Sequence, residues 1–297
     1  MEPRKWQGKT GGGTIGQKSL LFLLGITSQY IVYFFLAFIV PFYMLFAYKR
    51  ALPIYYYFRK RRHRSVLSSV IHVYWNHFVF GVMLIDRFSI YAGKSKKFKV
   101  KITGNEHFIN AINSEKGLLI ASSHIGNFEI SGYLLSQNKK RINAVIYGGE
   151  GEEIKKNRQA IFDANNINPI PVVDGISHIF ALSAAVSKGE IISMPCDRVF
   201  TGTKSLNCNF LGAEAEFPTG AFHIASKFDI PALAIFVMKE KPMLYHIYVK
   251  PLNTEIKSTE PTNVRAENMT RNFVSELETV INLYPNQWFN FYEFWKK

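Results

Sequence analysis

Apolar positions fall along this chain in three regimes. The first is an unbroken run from Leu20 to Tyr48, LLFLLGITSQYIVYFFLAFIVPFYMLFAY, in which no side chain carries a charge. Crossing the hydrocarbon core of a bilayer takes about 20 such residues. The run therefore predicts a membrane anchor over 19–48, either a single helix or, because Gln29 and Pro41 interrupt it, a deeply inserted hairpin. It fits a cleavable secretory signal poorly, since it is too long, lacks a small-x-small exit and ends on Lys49-Arg50. A buried core helix is the alternative.

The second regime, SVLSSVIHVYWNHFVFGVMLIDRFSIY at 65–91, places apolar residues at helical spacing with few charges and predicts an amphipathic or buried helix near the membrane. His72 and His77 lie on it five apart, where helical metal ligands usually stand four apart, so they read as packed or interfacial residues. At residue 98 the period changes. Short β-rich runs appear at 98–102, 117–122, 142–147, 190–195, 231–238 and 245–249, alternating with helical patterns near 106–113, 127–137, 152–164, 175–187, 218–227 and 264–282. Such alternation predicts an α/β fold, a largely parallel central sheet flanked by helices on both faces. The chain then divides into a flexible basic tip at 1–18, the anchor at 19–48, a basic membrane-proximal helical segment at 49–97 and the α/β domain at 98–297.

Composition changes this picture little: 47% hydrophobic and 15% aromatic residues supply a large core and leave only the polar tip as a candidate for disorder. Charge changes it more. Of the net +14, residues 49–101 alone carry thirteen Lys and Arg against the single acid Asp86, with FRKRRHR at 58–64 and GKSKKFKVK at 93–101 as the densest blocks. Cations beside an apolar run attract anionic headgroups and favour the cytoplasmic side, at about 1 kcal/mol per residue close to the surface. Nucleic acid is the rival partner for such a patch, and an uncharged 29-residue run from Leu20 to Tyr48 argues against it. Cys196 and Cys208 imply no disulfide framework, and their spacing lacks metal-site partners. The sequon at Asn268-Met269-Thr270 reads as chance in this setting.

Two motifs near the start mislead. QGKTGGGTIG at 7–16 contains Gly-Lys-Thr and a literal GxGxxG, but Pro3 stands where a phosphate loop needs glycine, and neither motif follows a predicted strand.

The candidate chemistry lies in ASSHIGNFEIS at 121–131. In an open α/β sheet reactive groups collect where strands end and loops enter the next helix. His124 stands there, after GLLIAS; Ile125-Gly126-Asn127 make a turn, and Asn127 is placed to cap a helix whose first turn holds Glu129. A non-helical turn can bring that carboxylate back onto the imidazole. A carboxylate on one ring nitrogen leaves the other as a base and stabilises the imidazolium that forms. A structural histidine beside an unrelated glutamate fits the fragment equally well. Asp197 and Arg198 follow the strand EIISMP, so the same topological principle brings them near His124, Asp197 as a second carboxylate and Arg198 as a candidate for holding a phosphate.

These residues resemble a known family. His124-Ile-Gly-Asn-Phe-Glu129 is similar to the His-x4-Asp/Glu motif of the lysophospholipid (glycerolipid) acyltransferase superfamily, and its His-x-Gly-Asn-aromatic-Glu form resembles the bacterial late acyltransferases of lipid A biosynthesis. The likeness runs in order through Trp6 and the Gly-rich tip, the anchor, Gly104-Asn105-Glu106-His107, Asp197-Arg198, Phe210-Leu211-Gly212, Phe217-Pro218-Thr219-Gly220 and Gln287-Trp288-Phe289-Asn290-Phe291. It implies a glycerolipid acyltransferase-like fold at the bacterial inner membrane, with the catalytic domain facing the cytoplasm.

The implied reaction carries a fatty acyl group from a thioester, acyl carrier protein or acyl-CoA, to a hydroxyl of a lipid acceptor, most simply a lipid A precursor. It needs no metal and no further cofactor. On that resemblance His124, Glu129 and Asp197 are the catalytic candidates, with Glu129 orienting His124. Arg158, Arg198, Gly126 and Asn127 are the substrate-binding ones. No clear Glu-Gly-Thr-Arg block is present, which weakens a phosphatidic acid product. Aminolipid, lysophospholipid and polyene acceptors stay open. So do a lipid ester hydrolase, for which no Gly-x-Ser-x-Gly elbow supplies a nucleophile, and a non-catalytic membrane scaffold. The partners expected are anionic membrane lipids, the thioester donor and the lipid acceptor, with no nucleic acid.

Overall fold

The structure is a computed structural model that describes residues 23–131, 140–147, 162, 166–172, 177–199, 203–253 and 256–295. Three helices come first: α1 (Gln29–Phe46), α2 (Tyr48–Tyr56) and α3 (Val66–Ser89). Residues 29–46 of the apolar run become α1, which starts after an extended Ser28 (φ −69°, ψ 139°), and Pro41 lies inside that helix without ending it. The chain breaks direction at Ala47 (φ −110°, ψ 29°) instead. Only Gln29, Tyr33 and Val40 of α1 are buried, while Phe34, Phe35, Phe38, Phe42 and Leu45 are exposed. Ser65 starts α3, its Oγ accepting from Ser68 N at 3.3 Å. The helices α1 and α3 are each long and apolar enough to cross a membrane, by length and composition. They approach closely where Gly81 meets the Leu36 side chain, which leaves no room for a Cβ without a shift.

The strands of the central sheet are β1 (Lys99–Thr103), β2 (Leu118–Ser122), β3 (Ile142–Tyr147), β4 (Ile167–Val172), β5 (Ile191–Pro195), β8 (Ala232–Lys241) and β9 (Leu244–Pro251), with β6 (Ser205–Phe210) and β7 (Ala213–Pro218) forming a separate ribbon. The seven run in the order β1-β9-β8-β2-β5-β3-β4. Every neighbouring pair is parallel except the β8–β9 hairpin. The α/β fold with a largely parallel sheet is as the alternation of periods predicts.

Side chains alternate across this sheet. On one face Leu119, Ala121, Ala234 and Phe236 pack with Phe222 of α6 (Gly220–Lys227) and Phe273 and Leu277 of α7 (Thr262–Leu283). On the other, Leu118, Ile120, Leu233 and Ile235 pack with Phe108 of α4 (Asn105–Asn113). A strand buried on both faces reads as a continuous apolar run, and β2 is buried at every position. It sits between β8 and β5, so its carboxyl end emerges from the most solvent-excluded part of the sheet.

The structure adds three strands to those expected. One is β4, whose Pro169 and Pro171 hide it in the sequence; it lies at the sheet edge, where a strand tolerates missing N–H donors. The β6–β7 ribbon turns at Leu211 (φ 52°) and Gly212 (φ 74°). Among the helices, the one expected near 175–187 is α5 (Ser177–Ser187). The helix expected near 127–137 begins as a 3-10 turn, Phe128–Ile130, and 132–139 lie outside the described residues. So do the tip at 1–18 and all of the helix expected at 152–164 except Phe162.

Candidate active site

His124 and Asp197 meet because β2 and β5 are parallel neighbours in register, Ser122 opposite Pro195. The pairing continues one step beyond the strands, where Cys196 N donates to Ser122 O at 2.8 Å. The next residue, Asp197, two past the end of β5, then faces the residues that leave β2. Its Oδ1 lies 2.8 Å from His124 Nδ1. Its Oδ2 accepts from His124 N at 3.0 Å and from Ser123 Oγ at 2.8 Å. One carboxylate thus fixes both the ring and the backbone of His124.

Asp197 is 2% exposed while the His124 side chain is 25% exposed. Burial alone would push the Asp197 carboxyl up, but the charge and hydrogen bond of His124, the nearby Arg198 guanidinium and the His124 backbone N–H outweigh it and hold the group well below the usual carboxylate range. An ionised carboxylate accepts only, so Nδ1 is the donor in this contact, and in the neutral form of the ring the lone pair is on Nε2. The ring is therefore prepared to take a proton at its other nitrogen. Phe128 packs edge-on to it at 5.4 Å.

The turn after His124 is held from two sides. Gly126 N donates to Gln287 O at 2.8 Å, Phe289 N donates to His124 O at 2.9 Å, and Ile125 bridges Trp288. From below, Asn127 N donates to Val237 O at 2.8 Å. Gly126 has φ +60°, and a Cβ there would lie 2.1 Å from Val237 O. Only glycine lets the turn approach β8 this closely.

Asn127 departs from the expectation of a helix cap. It precedes a 3-10 turn and makes no side-chain cap hydrogen bond. Its fully buried amide donates instead to Met83 O at 3.2 Å and Tyr245 Oη at 3.1 Å. The backbone of Glu129 lies in that 3-10 turn; its side chain, and Arg158 entirely, lie outside the described residues. The carboxylate seen on His124 is that of Asp197.

Arg198 stands over the Tyr292 ring at 5.2 Å and donates to Phe289 O at 3.5 Å, while its Nε has no hydrogen-bond partner among the described residues. Asn290, 3% exposed, likewise leaves Oδ1 without one. Ser123 and Tyr292 escape the sequence reading. Ser123 carries no motif of its own, and Tyr292 follows the aromatic C-terminal run without distinction.

The family model described as "Bacterial lipid A biosynthesis acyltransferase" matches residues 62–297. That span takes in α3, both strands of the site and the segment behind the His124 turn. The crystal structure of the 1-acyl-sn-glycerophosphate (LPA) acyltransferase PlsC from Thermotoga maritima is 15% identical, covering 84% of this chain and 98% of that one with a TM-score of 0.37. No curated protein matches the chain.

Proposed function

The chain belongs to the bacterial lipid A biosynthesis acyltransferase family, and on that premise we propose that His124 is the general base of an O-acyl transfer from a thioester to a lipid hydroxyl. The observation that carries the reading is the 2.8 Å contact between His124 Nδ1 and Asp197, which leaves Nε2 as the open nitrogen.

In the proposed step the acceptor hydroxyl gives its proton to Nε2 as its oxygen attacks the thioester carbonyl. The tetrahedral intermediate collapses, the C–S bond breaks, and the imidazolium returns the proton to the leaving thiolate. Asp197 stabilises the imidazolium between these events. General-base catalysis of this kind contributes about 10² to 10⁴ in rate. Because Nδ1 is already occupied by Asp197, the orienting role expected of Glu129 passes to Asp197 in this proposal. Among the described residues, Arg198 Nε and Asn290 Oδ1 are buried polar atoms without a hydrogen-bond partner, and we propose that a bound substrate supplies one.

The proposed donor is acyl carrier protein or acyl-CoA, and the proposed acceptor a lipid A precursor. Both donors are anionic, as are membrane headgroups, and the basic residues at 49–101 suit either partner. The exposed aromatic face of α1 supports placing the protein on a membrane. We place it at the inner membrane with the α/β domain on the cytoplasmic side, where the basic flank of the anchor belongs.

The test incubates membranes containing the protein with labelled acyl carrier protein or acyl-CoA and a panel of lipid A precursor, lysolipid and aminolipid acceptors. Product with the lipid A precursor, absent in His124→Ala, is expected. Product with another acceptor alone would replace the acceptor, and a folded His124→Ala with parental activity would overturn the mechanism.

A further inference from the structure

Asp86, on α3, has no solvent exposure, and its carboxylate gathers donors from three other elements. Oδ1 accepts from Gln29 Nε2 at 2.6 Å and from the Tyr33 hydroxyl, both on α1. Oδ2 accepts from Lys239 Nζ at 2.5 Å, on β8, and from the Tyr245 hydroxyl, on β9. Since Tyr245 gives its one proton to Asp86, its oxygen can only accept, and it accepts from Asn127 Nδ2. The bonds therefore converge on Asp86 from two sides, from the turn that carries His124 through Tyr245, and from Gln29 and Tyr33 of α1.

Two of the three buried side chains of α1 are spent on this carboxylate. A tether has no need of that. Apolar contacts would hold the helix as well, because a buried ion pair adds little net stability over well-packed hydrophobic residues. What a filled carboxylate adds is a fixed arrangement, since each donor lost leaves a polar group unpaired in a dry interior.

We infer that Asp86 and Tyr245 are positioning residues that couple the seating of α1 to the geometry of the His124 turn, so that the anchor helix is part of the active-site scaffold. The inference rests on the reading of His124 as the base.

The test uses the purified full-length protein and measures acyl transfer for Tyr245→Phe, Tyr33→Phe and the double variant. Phenylalanine keeps the rings, which stand 4.9 and 5.5 Å from Lys239 Nζ, and removes only the hydroxyls. Each single variant is expected to lower kcat about tenfold with KM within about twofold, because a small displacement of a reacting group costs turnover rather than affinity. The double variant is expected to fall no more than about twofold below the worse single, since both break one chain. A Tyr245→Phe protein with parental kcat, losses that multiply, or a change in KM alone would overturn the coupling. Should Tyr245→Phe fail to fold, Tyr33→Phe decides by the same kcat criterion. His124→Ala keeps the two readings apart: activity in that variant removes the general-base reading, whereas an inactive His124→Ala beside a parental Tyr245→Phe removes only the coupling.

Discussion

His124 Nδ1 and Asp197 Oδ1 lie 2.8 Å apart although 73 residues separate them in the chain. Two parallel strands bring them together, so the contact depends on sheet register rather than on any local turn. Asparagine at 197 keeps the shape but loses the charge that stabilises the imidazolium, and its amide group can hold the ring in the wrong tautomer. Asp197→Asn is expected to lower kcat by roughly 10³ to 10⁴, measured by steady-state acyl transfer. Glu129→Gln assayed beside it tests the other carboxylate; a tenfold loss at Asp197 against a thousandfold loss at Glu129 would return the orienting role to Glu129.

The same carboxylate makes stability depend on pH. Its folded-state pKa is depressed below the unfolded value, so it contributes stability that is fully present above about pH 4 and is lost as pH falls through the folded value. Thermal unfolding in detergent from pH 6 to pH 3 is expected to show the parent losing stability below about pH 4. Asp197→Asn lacks this component, so the gap between the two proteins narrows on acidification. A gap that stays constant over that range would show that Asp197 is not depressed.

Gly126 and Gly212 offer a matched pair. Both have positive φ, +60° and +74°, but a Cβ at 126 meets Val237 O at 2.1 Å whereas nothing lies within 4 Å at 212. Gly212→Ala then costs only the left-handed backbone strain, about 1–2 kcal/mol, and leaves kcat near parental. Gly126→Ala adds a clash with backbone that cannot swing aside, which lifts the turn away from β8 and carries His124 with it. A loss in kcat of tenfold or more is expected for Gly126→Ala, together with a lower unfolding midpoint than Gly212→Ala. Parental turnover in Gly126→Ala would mean the close approach has no part in activity.

Legibility in the sequence followed the range of the interactions. INAVIY reads as a strand and spans all of β3, because six residues with no breaker carry the whole signal. The prolines of INPIPV say the opposite, and only the position of β4 at the sheet edge makes them acceptable. At the site, the histidine at a strand end and the aspartate at another are visible as residue types in suggestive places. Which carboxylate holds the ring is not, since it turns on the register of Ser122 against Pro195. Asn127 shows the limit most clearly: its local pattern is that of a helix cap, and its partner Tyr245 is 118 residues away.

Lys239 is the remaining charge to test. Its side chain is 9% exposed and lies 2.5 Å from Asp86. Burial pushes its ammonium pKa down, and the charge and hydrogen bond of Asp86 oppose that. Removing one partner of such a pair is far more harmful than removing both, because the survivor is left as an uncompensated charge in a dry place. Lys239→Met leaves Asp86 with three neutral donors and is expected to cost about 3 kcal/mol in denaturant unfolding, at the low end for a broken buried pair. Lys239→Met combined with Asp86→Asn removes both charges and is expected to recover about 1 kcal/mol or more of that loss, even though it contains a second substitution. If the double variant is instead destabilised by the sum of the two single losses, the Lys239 and Asp86 charges are not coupled, and the cluster is held by its neutral hydrogen bonds alone.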